Sequence, residues 1–355
     1  MLRERTTLRL LLLRALLVCA GLTGCSARAQ NASSPWRLAS DSEAVVSDAK
    51  QRDQIFRALD AAEHAGTDPR ISHFDVRAAT VIEKDGHESV VVGGNTEYGV
   101  PEAIHAETSL LNHVTALFGP DATRHLVRFI AYFGNRCGSA GSCGDCRDYQ
   151  IAATDYEHLL VACGQAADHV VRVTRFMDQV VCEKDFSSVE RSKIPLSDKD
   201  LANLVKSAET AQIGGVTLFT SDRHTGAAAV SYSGRSYRAA GADDAAFHYR
   251  FPIGGVLQEA ATECDYFIRA IVVASEKGKW PLINYRDRQY GYEASSLNRR
   301  TGKPPISLIL TDGEGRFRMT TFESALPHAF STADFMPDAL QKFLKSHEAC
   351  VPASK

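Results

Sequence analysis

The amino-acid sequence predicts an α/β sandwich, built twice along 355 residues. Three observations carry this. Short apolar runs of strand length alternate with stretches of helical spacing, the pattern of layered α/β architecture. The same order of elements then recurs beyond a split near Phe186–Pro195. Finally, Val256-Leu257-Gln258-Glu259-Ala260 aligns with Ile104-His105-Ala106-Glu107-Thr108. With 44% hydrophobic and 23% charged residues the chain can bury a core, and with no repetitive tract it is not low-complexity.

The elements follow in order. Gln51–Ala65 has Ile55, Phe56, Leu59 and Ala62 on one helical side. Phe74–Ile82 and Glu88–Gly93 read as strands joined by an Asp85-Gly86 turn. A helix over Ala106–Phe118 carries Leu110, Leu111, Val114 and Leu117. His125–Phe133 reads as a buried strand, Cys143 to about Ala153 as a helix, and His158–Ala162 and Val170–Thr174 as short strands. In the second half Leu196–Gln212 is helical with Ser197 as N-cap. Val216–Phe219, Ala227–Tyr232 and Ser236–Ala239 are strand candidates. Gln258–Ala274 reads as a helix running into a strand near Ile271–Val273, and Ile306–Leu310 and Arg316–Thr320 as strands around Asp312–Gly315. The expected organisation is a signal segment at 1–25, a tether at 26–48, a first domain at 49–186, a linker at 187–195 and a second domain at 196–345.

The N-terminus reads as an address. Basic residues precede an apolar run too short to span a bilayer, the layout of a secretory signal. Leu22-Thr23-Gly24-Cys25 looks like the lipobox of bacterial lipoproteins, so the expectation is an exported, membrane-anchored or periplasmic chain held to a membrane surface by lipid on Cys25. Cleavage after Ala27-Arg28-Ala29 is the simpler alternative. Formal net charge is −3, and Arg3, Arg5, Arg9 and Arg14 all lie in the leader, so the remainder is more acidic still. No grip on long nucleic acid is expected; a small-molecule substrate is.

His105-Ala106-Glu107 and Cys143-Gly144-Asp145-Cys146 carry the chemistry. One His and two Cys offer three ligands to Zn²⁺ and leave a fourth position for water. Two cysteines three apart at the start of a helix can project toward one point, where the helix dipole favours thiolate. A carboxylate two residues from the His can move protons without binding the metal. The alternative for Cys143 and Cys146 is a disulfide, as expected of an exported chain.

On these residues the sequence resembles the cytidine deaminase family, over roughly 50–335. His-x-Glu followed by Cys-x-x-Cys is the zinc deaminase signature, with Ser142 here where that signature has Pro. Cys143-Gly144-x-Cys146-Arg147, Gly94-Asn95-Thr96-Glu97, Ile71–Val76 and Leu326-Pro327-His328-Ala329-Phe330 join the resemblance. It implies a three-layer αβα cytidine-deaminase-like sandwich, duplicated, with His105, Cys143 and Cys146 as zinc ligands and Glu107 as the catalytic proton carrier. It further implies that Phe74 packs on the pyrimidine, Asn95 and Glu97 bind the ribose, and the Ala106 carbonyl addresses the amine. Leu257 replaces the His in the second repeat and Glu259 keeps the carboxylate, so the second domain reads as degenerate and the assembly as a homodimer. The implied activity is zinc-dependent deamination of cytidine or deoxycytidine. Two other readings stay open: a deaminase of another nucleoside or nucleoside antibiotic, and a non-catalytic binding lipoprotein on the same fold.

Overall fold

The computed structural model describes residues 34–68, 75–97, 103–134, 143–165, 167–217, 224–243, 249–327 and 329, with 338, 341, 342 and 345. The first half runs β1 (Arg37–Leu38), α1 (Ala49–Glu63), β2 (Val76–Lys84), β3 (His87–Gly94), β4 (Thr96–Glu97), β5 (Ala103–Ile104), α2 (Ala106–Phe118), α3 (Ala122–Leu126), β6 (Phe129–Gly134), α4 (Gly144–Ala153), β7 (Leu160–Gly164) and β8 (Val170–Arg175). The second runs β9 (Ser187–Val189), α5 (Asp198–Ile213), β10 (Val216–Thr217), β11 (Gly226–Ser231), β12 (Ser236–Ala240), β13 (Ala242–Asp243), β14 (Tyr249–Arg250), α6 (Pro252–Thr262), β15 (Ile268–Ala274), α7 (Tyr285–Arg300), β16 (Ser307–Thr311), β17 (Phe317–Thr321) and α8 (Phe322–Ala325).

Strand order shows the duplication. One six-stranded sheet is ordered β1-β8-β7-β6-β2-β3 and the other β9-β17-β16-β15-β11-β12. In each, only the central pair is parallel among the five shared strands: β6 with β7, and β15 with β16. The edge strands differ, since β1 runs parallel to β8 and β9 antiparallel to β17.

Alternation along β2 builds two layers of core. Ala79 and Val81 face α1, packing with Ile55, Ala58, Leu59 and Ala62. Ala78 and Ile82 face α2, packing with Leu110, Leu111 and Val114. The second half repeats this, with α5 (Leu201, Leu204, Ala208) on one face and α6 (Ile253, Val256, Ala260) on the other. Each half is therefore a three-layer α/β/α sandwich. Asp48 caps α1 by accepting the Lys50 N–H at 2.9 Å, a contact worth about 1 kcal/mol. Ser197 caps α5 as expected. Asp85 and Gly86 take positive φ of 53° and 76°, the turn a tight hairpin needs.

Several expectations are corrected. The stretch 26–48 is not a tether over 36–48: Trp36 is buried, its Nε1–H donates to Asp60 at 2.6 Å, and β1 pairs with β8. The linker 187–195 contains β9, an edge strand of the second sheet, and Phe186 already belongs to the second core. His125 and Leu126 end α3 rather than begin β6. The helix expected over 258–274 starts at Pro252 and stops at Thr262, before β15. From Trp36 onward the chain is one compact unit. Among the described residues no helix is long and apolar enough to cross a membrane.

Candidate metal centre

Two helix N-termini meet in the first half. His105 is the N-cap of α2 and Cys143 the N-cap of α4, and neither side chain caps its own helix. Ser, Thr, Asn or Asp at an N-cap ordinarily accepts a backbone N–H of the first turn. Here the ligand atoms are turned toward each other instead. His105 Nδ1 lies 3.2 Å from Cys143 Sγ and 3.1 Å from Cys146 Sγ, and all three atoms lie within 4.8 Å of one another. Tetrahedral zinc with N and S bonds of about 2.0 and 2.3 Å would separate N from S by roughly 3.5 Å. The donor set therefore fits a small tetrahedral ion with only slight expansion, and its three ligands leave one position open. Nδ1 is the nitrogen that faces both sulfurs.

The electrostatics agree. Both cysteines are buried and neither is in a disulfide. The hydrogen bond from Cys146, with a further one from His105, holds Cys143 well below the ordinary thiol range. Burial pushes Cys146 well above it. Two convergent helix dipoles favour negative charge here, and a metal ion would displace the remaining thiol proton.

Glu107, in the first turn of α2, is 5% exposed. Burial, with the Cys143 charge added, raises its pKa, while His105 pulls the other way. Thr108 Oγ1 lies 3.9 Å from Cys146 Sγ.

The remaining expected residues divide. Ala106 is buried as the first residue of α2. Asn95 is buried directly before β4, its N–H donating to the Val76 carbonyl at 3.0 Å. Thr96 pairs with Ile104, so Asn95 and His105 are the next residues along the two strands and share one end of this ladder. Glu97 stands in β4 opposite Ala103; its side chain lies outside the described residues, as do Phe74 and Cys25.

The second half corrects the expected alignment by six residues. The residue that caps α6 as His105 caps α2 is Phe251, not Leu257, and Ile253 takes the place of Glu107. Leu257 lies in mid-helix, and Glu259 Oε2 accepts the Arg238 N–H at 3.3 Å. The Cys143–Cys146 turn is matched by Asn284–Asp287 at the start of α7. Asn284 caps its own helix by accepting the Asp287 N–H at 2.7 Å. Asp287 accepts from Ile253 and Gly254 at 3.2 and 2.9 Å, so a carboxylate caps α6 where the first half gathers metal ligands. Arg286 stacks over the Phe251 ring at 5.3 Å. The second copy thus retains neither the His nor the Glu.

Sequence reasoning missed what holds the site. Gly93 on β3 is pressed on α2: a Cβ there would collide with Leu110 N and lie 2.6 Å from the Ala106 carbonyl. Gly144 lies against α7, where a Cβ would collide with the Tyr285 carbonyl. Buried Arg147 donates to the carbonyls of Gln179, at 3.1 Å, and Pro327. Paired glycines inside a strand signal such close backbone approach.

No family model matches the chain, and no curated protein matches it. Among solved structures the chain is similar, over 36% of its length, to 98% of a cytidine deaminase from Burkholderia pseudomallei, with 23% identity and a TM-score of 0.32. A cytidine deaminase from Mycobacterium leprae is similar over 36% of this chain and 98% of its own, with 17% identity and a TM-score of 0.30. For a cytidine deaminase from Mycobacterium tuberculosis the values are 37%, 94%, 23% and 0.26.

Proposed function

We propose that this chain is a zinc-dependent hydrolytic deaminase of cytosine nucleosides. The observation that carries the reading is the meeting of His105, Cys143 and Cys146 at two helix starts, with the buried Glu107 carboxyl two residues after His105. His105, Cys143 and Cys146 would hold the zinc ion. When bound, zinc supplies Lewis acidity that makes water a nucleophile near neutral pH. Glu107 takes the proton of the attacking water, delivers it to N3 of the base, and then assists departure of ammonia from C4. Its burial supports that role, because a raised pKa keeps a carboxyl able both to accept and to donate. The Ala106 carbonyl and Cys143 N–H face the exocyclic amine and the developing tetrahedral centre. Phe74 packs on the pyrimidine, and Asn95 and Glu97 bind the sugar hydroxyls.

The proposal extends to the compartment. Cys163 and Cys264 each take part in a disulfide, which suits an exported chain with its lipid on Cys25. Cys143 and Cys146 are not joined in a disulfide, which leaves both sulfurs available to zinc as thiolates. The second sandwich serves as packing surface, and the assembled protein is a homodimer.

The test is Glu107→Gln. Zinc content should be unchanged and cytidine turnover should fall by about 10²–10⁴-fold, the range for losing a positioned proton carrier. A zinc-loaded Glu107→Gln protein that keeps full turnover would end the mechanism. A wild-type protein that binds zinc but converts neither cytidine nor deoxycytidine would end the substrate assignment.

A further inference from the structure

Helices α4 and α7 meet first turn to first turn, and their capping is reciprocal. Asp148, fifth residue of α4, accepts the N–H groups of Tyr285 and Arg286, each at 3.2 Å. Gln289, fifth residue of α7, accepts the Gly144 N–H at 3.3 Å through Oε1. Asp148 and Gln289 hold matching places in the two copies. The close approach of Gly144 to the Tyr285 carbonyl fixes these contacts, and a Cβ on Gly144 would also lie 2.9 Å from Gln289 Cβ.

The two helices differ in what their own N-caps do. Asn284 satisfies a donor of α7 itself. The Cys143 sulfur is turned instead to His105 and Cys146. A helix start leaves backbone N–H groups that need acceptors. An N-cap side chain serves the second or third of these groups, so the first, here the Gly144 N–H, is met from elsewhere. The Gly144 amide, bonded to Gln289, is adjacent to Cys143 in the turn that sets the spacing of the two sulfurs.

We propose that Gln289, in the degenerate second half, is a positioning residue for the metal centre: it takes the N–H of Gly144, the residue next to Cys143, and so holds the Cys143–Cys146 turn in ligating shape. This rests on the zinc reading above. It gives the second sandwich a task at the site although it holds no ligand set of its own among the described residues. Outer partners that orient ligands commonly matter 10–100-fold in metal affinity, and Gln289 acts through the turn rather than by touching the ion.

The experiment uses the full chain and Gln289→Met, which keeps length and helix propensity and removes the acceptor, with Gln289→Ala as a smaller substitute should the Met variant misfold. Asn298→Ala is the control. Asn298 sits at the far end of α7, where Nδ2 donates to Ile268 O at 2.6 Å, so its loss destabilises the second half away from the cysteine turn. Zinc dissociation constants come from competition with a chromophoric chelator, and the cobalt(II) form is read by its thiolate absorption. Expected are a zinc affinity about 10–100-fold weaker and an altered cobalt spectrum in the Gln289 variants, with both close to wild type in Asn298→Ala. Wild-type affinity in a folded Gln289 variant overturns the inference. Equal weakening in Asn298→Ala also overturns it, by showing a general effect of stability. A wild-type chain that binds no zinc overturns the zinc reading itself, an outcome distinct from both.

Discussion

Gly93→Ala probes how β3 sets the catalytic end of α2. A Cβ on Gly93 would collide with Leu110 N and lie 2.6 Å from Ala106 O and 2.7 Å from Leu110 Cα, whereas ordinary contacts lie at 3.4–4 Å. All three atoms are helix backbone, so no side-chain rotation relieves the clash. The helix must move by about 0.8 Å or more, because close-packed interiors transmit strain rather than absorb it. Overpacking of this kind costs about 1–3 kcal/mol. Ala106 lies between His105 and Glu107, so the same shift moves a ligand and the proton carrier together. Misplacement by about 1 Å can cost on the order of 10²-fold in rate. The assay pairs zinc affinity with cytidine turnover in a variant shown to be folded. Gly66→Ala is the control, since nothing lies within 4 Å of a Cβ there. A Gly93→Ala protein with wild-type turnover and zinc affinity would refute the argument that β3 holds the site.

Two further predictions concern stability. Burial pushes Asp287 up to about 7 against the pull of the Gly254 and Ile253 N–H groups, so its folded pKa lies above the ordinary 3.8. Between those values the folded state binds the extra proton, so this group makes stability fall as pH rises from about 4 to 7, by at most about 4 kcal/mol. Asp287→Asn should flatten that slope in melting curves taken across the range, and an unchanged slope would contradict the assignment. Stripping zinc with a chelator should lower the melting temperature, because an ion held at 100-fold above its Kd adds about 2.7 kcal/mol to the folded state; an unaltered melting temperature would count against a bound ion.

Much of the first sandwich is legible in the sequence. The spacing of Leu110, Leu111 and Val114 gives α2 its observed bounds, and the Asp85-Gly86 turn marks the β2–β3 hairpin. The ligand set is legible because cysteines three apart and His-x-Glu are rare together. Helix α7 is not legible: beside Tyr285 and Gly291 its buried positions are Asp287, Arg288, Ser295, Ser296 and Asn298, which erase the apolar stripe. Those residues are buried because other segments meet their hydrogen bonds, as Arg288 does with Glu183 at 2.6 Å, a pairing 105 positions apart. The misplaced register of α6 has a similar cause. Glu259 mimics Glu107 locally, whereas Pro252 at the first position and the Asp287 cap set the true helix start. Strand β1 is two residues long and owes its place to Trp36 packing beside Phe133 and His169.

The proposed function has His105, Cys143 and Cys146 hold zinc for attack on a cytosine nucleoside. It is tested most directly on one preparation of the full chain, purified under reducing conditions, with zinc quantified by mass spectrometry and ultraviolet absorbance followed on adding cytidine. About one zinc per chain and loss of the cytidine band as ammonia is released are the expected results. A zinc-free protein with Cys143 and Cys146 joined as a disulfide in native material, and cytidine left unchanged, would contradict it.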